Sequence, residues 1–261
     1  MIDRRPTDPP VFVKTRADAP PRFFAAEAAG LAWLAEAQAE GGVAVVGVHE
    51  VAEDSITLDR LAEAAPTRAA AEAFGRALAV THAAGARAFG AAPDGWSGDA
   101  WIGRQVAPMA DHATWGTSFA DLRLLPYARR AVQVGHLGAA GMAAVERVCQ
   151  RLRDGEFDDD RPPARIHGDL WGGNVLFTPG GVVVIDPAAH GGHGQTDLAM
   201  LELFGCPYLD RVQAAYAEAA HLPADWPQRT GLHQLHPLLV HAASHGPSYG
   251  REAERVAARY A

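Results

Sequence analysis

The sequence predicts an α+β chain of two lobes, a small β-rich amino-terminal lobe and a larger, mostly helical carboxy-terminal one. Three observations point there. Strand-like runs cluster early, at Val11-Phe12-Val13-Lys14 and Ile56-Thr57-Leu58. From about residue 62 onward, apolar residues recur at helical spacing. Within that helical region a single hairpin stands out: Val175-Leu176-Phe177 and Val182-Val183-Val184-Ile185 flank the turn residues Thr178-Pro179-Gly180-Gly181.

Taken in order, the first strand ends in Lys14, and Glu27 opens a helical pattern with apolar residues at Phe24, Ala28, Leu31 and Ala35. Residues 1–58 are expected to form the small lobe, residues 59–61 a hinge, and residues 62–261 the larger lobe that carries catalysis and substrate binding. Helices are expected over Thr67 to His82, Leu137 to Leu152 and Tyr208 to Ala219, with a further apolar helical run from Asp197 to Leu201. Gly95-Trp96-Ser97-Gly98 and Asp158 to Pro163 read as loops.

The stretch from His167 to Asp186 carries the chemistry. His-Gly-Asp-Leu-Trp-Gly-Gly-Asn places Asp169 five residues before Asn174, and Asp186 follows beyond the hairpin. A kinase catalytic loop followed by its metal-binding aspartate has this layout. Phosphoryl transfer needs an aligned hydroxyl and neutralised phosphate charge. Asp169 suits the base, while Asn174 and Asp186 offer hard oxygen ligands for Mg²⁺. Lys14 and Glu27, thirteen residues apart, match a strand lysine paired with a helix glutamate that together position the phosphates of ATP. In the hinge, the Asp59 carbonyl and the Leu61 amide are expected to read the adenine edge. Gly168 stands where protein kinases place an arginine, so no phosphorylated activation loop is expected. Pro187 is expected to hold Asp186 in extended backbone. Asp197 follows Asp186 too soon for a long peptide-docking loop, and a small-molecule acceptor is expected.

On these residues the chain resembles the fructosamine kinase (ketosamine-3-kinase) family, a branch of the aminoglycoside-phosphotransferase-like kinases with a protein-kinase-like fold. The resemblance runs from Val11 onward. It rests most specifically on Trp171 inside the loop and on Gly192-His193 followed by Asp197-Leu198-Ala199-Met200. It implies ATP- and Mg²⁺-dependent phosphorylation of the sugar 3-hydroxyl of ketosamines, whose unstable 3-phosphate then sheds the sugar. It implies Trp171 as a wall of the acceptor site, and His190, just beyond the metal aspartate, is placed beside substrate. The family also carries a glycine-rich strand-turn-strand ahead of the lysine strand. Residues 1–10 contain no glycine and three prolines, so a truncated small lobe is expected. Gln195 stands where the family usually has glutamate.

Composition narrows the alternatives. A net charge of −8 with no basic stripe argues against nucleic acid as a partner. With no apolar run of about eighteen residues and no signal peptide at its start, the chain is expected to be soluble and cytoplasmic, away from membranes. Cys149 and Cys206 lack disulfide or zinc spacing, and Cys149 falls on an apolar helical stripe. His233, His236, His241 and His245 cluster but read as packed or hydrogen-bonded histidines rather than zinc ligands. Two other readings stand beside the leading one: a kinase of another small alcohol such as an aminoglycoside, choline or a sugar, and a non-catalytic pseudokinase.

Overall fold

A computed structural model describes residues 10–261. The expected glycine-poor start, residues 1–10, lies outside the described residues except for Pro10. Strand β1 (Val11–Thr15) leads into helix α1 (Phe23–Ala35), a short strand β2 (Ala44–Val45), and the strands β3 (Val48–Val51) and β4 (Ser55–Asp59). β4 is the middle strand of an antiparallel sheet, paired with β1 from Val11↔Asp59 to Thr15↔Ser55 and with β3 across a bulge between Val48 and Glu50. On one face Ile56 and Leu58 pack against Phe24 and Leu31 of α1, with Phe12 opposite Leu58 still about half exposed; on the other, Val13 is about half exposed among the described residues.

The larger lobe begins with α2 (Arg68–Ala83), whose start is set by chemistry legible in the sequence: the Thr67 hydroxyl accepts from the Ala70 amide at 3.2 Å. A small hairpin, β5 (Ala100–Ile102) and β6 (Gln105–Ala107), precedes α3 (Trp115–Ser118), α4 (Leu125–Gln133) and α5 (Ala139–Arg153). Next come β7 (Ala164–Ile166), the expected hairpin β8 (Val175–Thr178) and β9 (Gly181–Val184), and β10 (His190–Gly192). The chain closes with α6 (Gln195–Phe204), α7 (Leu209–Ala219), α8 (Thr230–Ser244) and α9 (Pro247–Ala257).

Two apolar cores organise these helices. One gathers Trp115, Leu124, Val145, Leu152 and Leu235 from α3, α5, α8 and their connections, and Cys149 is buried in it. The other packs α2 and α7 against the β8–β9 hairpin through Phe74, Leu78, Phe177 and Val212. The sheet of that hairpin recruits β2, which runs parallel to β9 through Ala44↔Val183 and Val45↔Val184. A strand from the first 58 residues is thereby built into the sheet that carries the expected catalytic loop.

Candidate active site

The loop between β7 and β8 is held in shape partly by its own polar groups. Gly168 has a φ of +78°, and a Cβ there would come within 2.3 Å of the Ala188 carbonyl, so both the turn and the close approach require glycine. The buried His167 ring bridges the two ends of the site. Its Nε2–H donates to the Ile185 carbonyl at 2.9 Å, and Nδ1 accepts from the Asp169 amide at 3.2 Å. Burial holds this imidazole below its ordinary pKa, which keeps the neutral tautomer those two bonds need. Asn174 donates through Nδ2 to the Asp169 carbonyl at 2.8 Å, leaving its side-chain oxygen without a hydrogen bond among the described residues. At Gly173 any side chain would strike the Trp171 ring, 2.2 Å from a Cβ, so this glycine lets the indole lie across it.

On the open side, Lys14 Nζ lies 2.9 and 3.1 Å from the two carboxylate oxygens of Glu27 and 3.0 Å from Asp186 Oδ1. Burial alone would lower the lysine pKa, but Glu27 and Asp186 outweigh it and raise it. Burial in turn raises the Glu27 carboxyl against the pull of Lys14. Asp169 is pushed up to about 7, first by burial and then by the neighbouring charges of Asp186 and Asp197. Asp186 departs from the extended backbone expected before proline. Its φ is +53°, in the left-handed region. There the Ala188 amide turns back to the His167 carbonyl at 3.0 Å, and this tight return outweighs the local preference set by Pro187.

Three cavities meet at these residues. One, about 510 Å³, runs between Phe12, Val46 and Leu58 above and Leu176 and Ile185 below, and reaches Lys14 and Asp186. Asp59 and Leu61 lie on its wall; the Leu61 amide donates to no group among the described residues, whereas the Asp59 carboxylate accepts from the Gly47 amide and from His49. A smaller central cavity joins Lys14, Glu27, Asp186 and Asp169. A third, about 700 Å³, opens on the far side of Asp169 between Trp171, Phe204, His241, His245 and Tyr249. The structure thus brings Lys14, Glu27, Asp59, Leu61, Asp169, Trp171 and Asp186 around one connected cleft, with Asn174 directly behind it.

His190 does not join them. It is buried, with Nδ1–H donating to the Ala188 carbonyl at 2.8 Å and Nε2 accepting from Arg123 Nε at 3.1 Å. A π-helical stretch, Phe119–Leu124, carries Arg123 to it. Its placement beside substrate is therefore corrected to a prop beneath the loop that follows Asp186.

A residue that the sequence analysis placed only in the run carrying the resemblance, with no task at the site, ties the start of the loop to α6. Asp197, 1% exposed in the first turn of α6, accepts from the His167 amide at 2.8 Å, the Gly168 amide at 2.9 Å and His82 Nε2 at 3.1 Å. Tyr216 completes the chain by donating to His82 Nδ1 at 2.7 Å. Burial works to raise the Asp197 carboxyl, but its donors, His82 foremost, hold it below the ordinary range. The available signal was an acid opening an otherwise apolar helix. Among the clustered histidines, His233 stacks on Trp115 and His236 bonds the Arg123 carbonyl, and no group of three or more His, Cys, Asp or Glu side chains converges as metal ligands among the described residues. Gln195 is buried, its side-chain oxygen unpartnered among them. No helix among them is long and apolar enough to cross a membrane.

Comparison with known proteins gives a consistent picture. The sequence model described as fructosamine kinase matches residues 4–260. A Thermus thermophilus protein named a probable ketoamine kinase is 32% identical over 237 residues, 91% of this chain and 82% of its own length. A Synechocystis protein of the same name is 36% identical over 191 residues, 70% of this chain but only 59% of that protein. Among solved structures, a Thermobifida fusca protein described as a fructosamine-3-kinase superposes with a TM-score of 0.86 at 46% identity, covering 96% of this chain and 86% of that one. A macrolide 2′-phosphotransferase from Brachybacterium faecium superposes at 0.57 with 15% identity, a likeness of fold alone, which places the two-lobed α+β architecture among kinase-like phosphotransferases.

Proposed function

We propose a reaction from one premise: the chain belongs to the fructosamine kinase family. The protein transfers the γ-phosphoryl group of ATP to the sugar 3-hydroxyl of small-molecule or protein-bound ketosamines, and the product then releases the amine. The observation that carries this reading is the sharing of residues between cavities. Lys14 and Asp186 line both the apolar slot and the central cavity, and Asp169 lines both the central cavity and the acceptor cavity. An ATP with its adenine in the slot would therefore run its phosphates past Lys14 and Asp186 to a sugar hydroxyl held at Asp169 beside Trp171.

Each residue then has a defined task. The slot between Phe12 and Leu176 excludes water from the adenine faces, and the Leu61 amide and Asp59 carbonyl read its edge. Lys14, held by Glu27, places its charge against phosphate oxygens. Asp169 orients the acceptor hydroxyl and takes its proton; its raised pKa near 7 suits a group that must accept one near neutrality. The Asp186 carboxylate and the unoccupied side-chain oxygen of Asn174 form a hard-oxygen pair that fits Mg²⁺ completed by phosphate and water. Bound there, the ion would neutralise phosphate charge. Trp171, 43% exposed, offers its face to the C–H surface of the sugar.

The test is ATP consumption with Mg²⁺ on ribulose-lysine and fructose-lysine, against an aminoglycoside and choline. Turnover on the ketosamines alone is expected. Turnover restricted to the aminoglycoside or choline would replace the ketosamine by another small alcohol. Turnover on none would point to the pseudokinase reading.

A further inference from the structure

The acceptor cavity is larger than its sugar requires. At about 700 Å³ it belongs with pockets that enclose whole drug-sized ligands. Its lining is charged at two points. Asp169 is the one acid, and Arg104 is the one lysine or arginine, among the described residues that line it. Between them stand Trp171, Phe204, Tyr249 and the stacked pair His241 and His245, ring centroids 4.8 Å apart. His241 in that wall is committed through Nδ1 to the Pro237 carbonyl, and burial holds its pKa below the ordinary value.

Arg104 differs from Lys14, the cation at the centre of the cleft. Lys14 is neutralised by two carboxylates, whereas Arg104 makes no ion pair or hydrogen bond among the described residues. It sits in the β5–β6 turn next to Gly103, whose φ of +56° closes that turn over the cavity mouth. A guanidinium presents a planar fork of donors that matches a carboxylate in a bidentate pair. Near it a bare ammonium is repelled, while the aromatic wall and Asp169 attract one. The cavity therefore has a cation-tolerant inner end and an anion-seeking rim.

We infer that Arg104 is a specificity-determining residue that binds a carboxylate on the amine carrier, so that the acceptor is the ketosamine of a free amino acid. This rests on the ketosamine reading above and deepens it. The sugar lies at Asp169, the secondary ammonium against the aromatic wall, and the carboxylate at the rim. A ketosamine on a side-chain amine within a protein lacks that carboxylate and leaves Arg104 in water.

The deciding experiment compares acceptors that differ only in that charge: fructose adducts of glycine and of 6-aminohexanoate against the matching adducts of glycinamide and 6-aminohexanamide. The readout is the ratio of kcat/KM for acid over amide, with the KM for ATP measured alongside. For the carrier of fitting length, the wild-type protein should favour the acid by roughly tenfold, the scale of one charge-assisted pair, chiefly through KM. In Arg104→Ala the ratio should fall close to one, and Arg104→Lys should restore part of it. A wild-type ratio near one for both lengths, or a ratio that survives Arg104→Ala, overturns the assignment. A raised KM for ATP with an unchanged ratio also overturns it and moves Arg104 to the phosphates. No turnover and no calorimetric binding of any adduct would strike the ketosamine reading itself and the inference with it.

Discussion

Asp169 stands in the loop after β7 and Asp197 beneath it, and the contrast between them shows how one residue type is left under-bonded in one place and saturated in another. Asp169 is half-buried, lies near Asp186, and its carboxylate accepts from only one side chain among the described residues, the Asn174 amide at 3.5 Å. Asp197 is fully buried and accepts from two backbone amides and one imidazole. Their pKa values move apart accordingly: burial and like charge lift Asp169 to about 7, while its donors hold Asp197 below the ordinary range. An under-bonded carboxylate is free to take a proton, and a saturated one is fixed.

The strongest way to break this comparison is Asp169→Asn. Turnover should fall by roughly 10²–10⁴, the usual contribution of a general base. The melting temperature should hold or rise, because one of two facing carboxylates is gone; a marked drop would make Asp169 a structural group. Asp197→Ala should do the reverse. Leaving two buried amides and His82 without their acceptor should destabilise by about 3–5 kcal/mol, read by denaturant unfolding. Near-normal stability would show that the loop is held by other means.

Asp159 extends the comparison to pH. Burial works to raise its carboxyl, but the hydrogen bond and charge of His193, the Arg161 amide and Arg229 together hold it down to about 2. A folded pKa below the unfolded value of about 3.9 stabilises the protein fully above that value and is lost as pH falls toward about 2. Unfolding followed from pH 5 to 2 should therefore be less steep in Asp159→Asn than in the wild type; identical slopes would remove Asp159 from the acid response. The smallest effect should come from Tyr216→Phe, which deletes one hydrogen bond to His82 at about 1 kcal/mol. A cost similar to that of Asp197→Ala would make the phenol, not the carboxylate, the centre of the support.

Most of the open side of the site was legible because its residues lie close together in sequence or on periodic elements. Thr67 caps α2 as its hydroxyl chemistry suggests, and the hairpin after Asn174 forms between its two apolar runs. The buried support was less legible. His82 stands 115 residues from Asp197 and 134 from Tyr216, with no spacing that signals a hydrogen-bonded chain. His190 is drawn to the substrate by its nearness to Asp186 in sequence, yet β10 pairs with β7 and leaves that ring inside, against Arg123.

The sequence by itself determined the make-up of the candidate site: an aspartate, an asparagine and a second aspartate around a hairpin, a lysine ending a strand, and a glutamate on the next helix. These are local patterns, and backbone periodicity and turn chemistry translate them directly into position. Only the tertiary structure decided which polar groups would be left under-bonded and which saturated. Hydrogen-bond satisfaction and burial depend on what distant segments bring to the same place. Asp186 took a left-handed backbone against its local preference, and Asp197 gathered donors from α2 and from the loop after β7, for that reason.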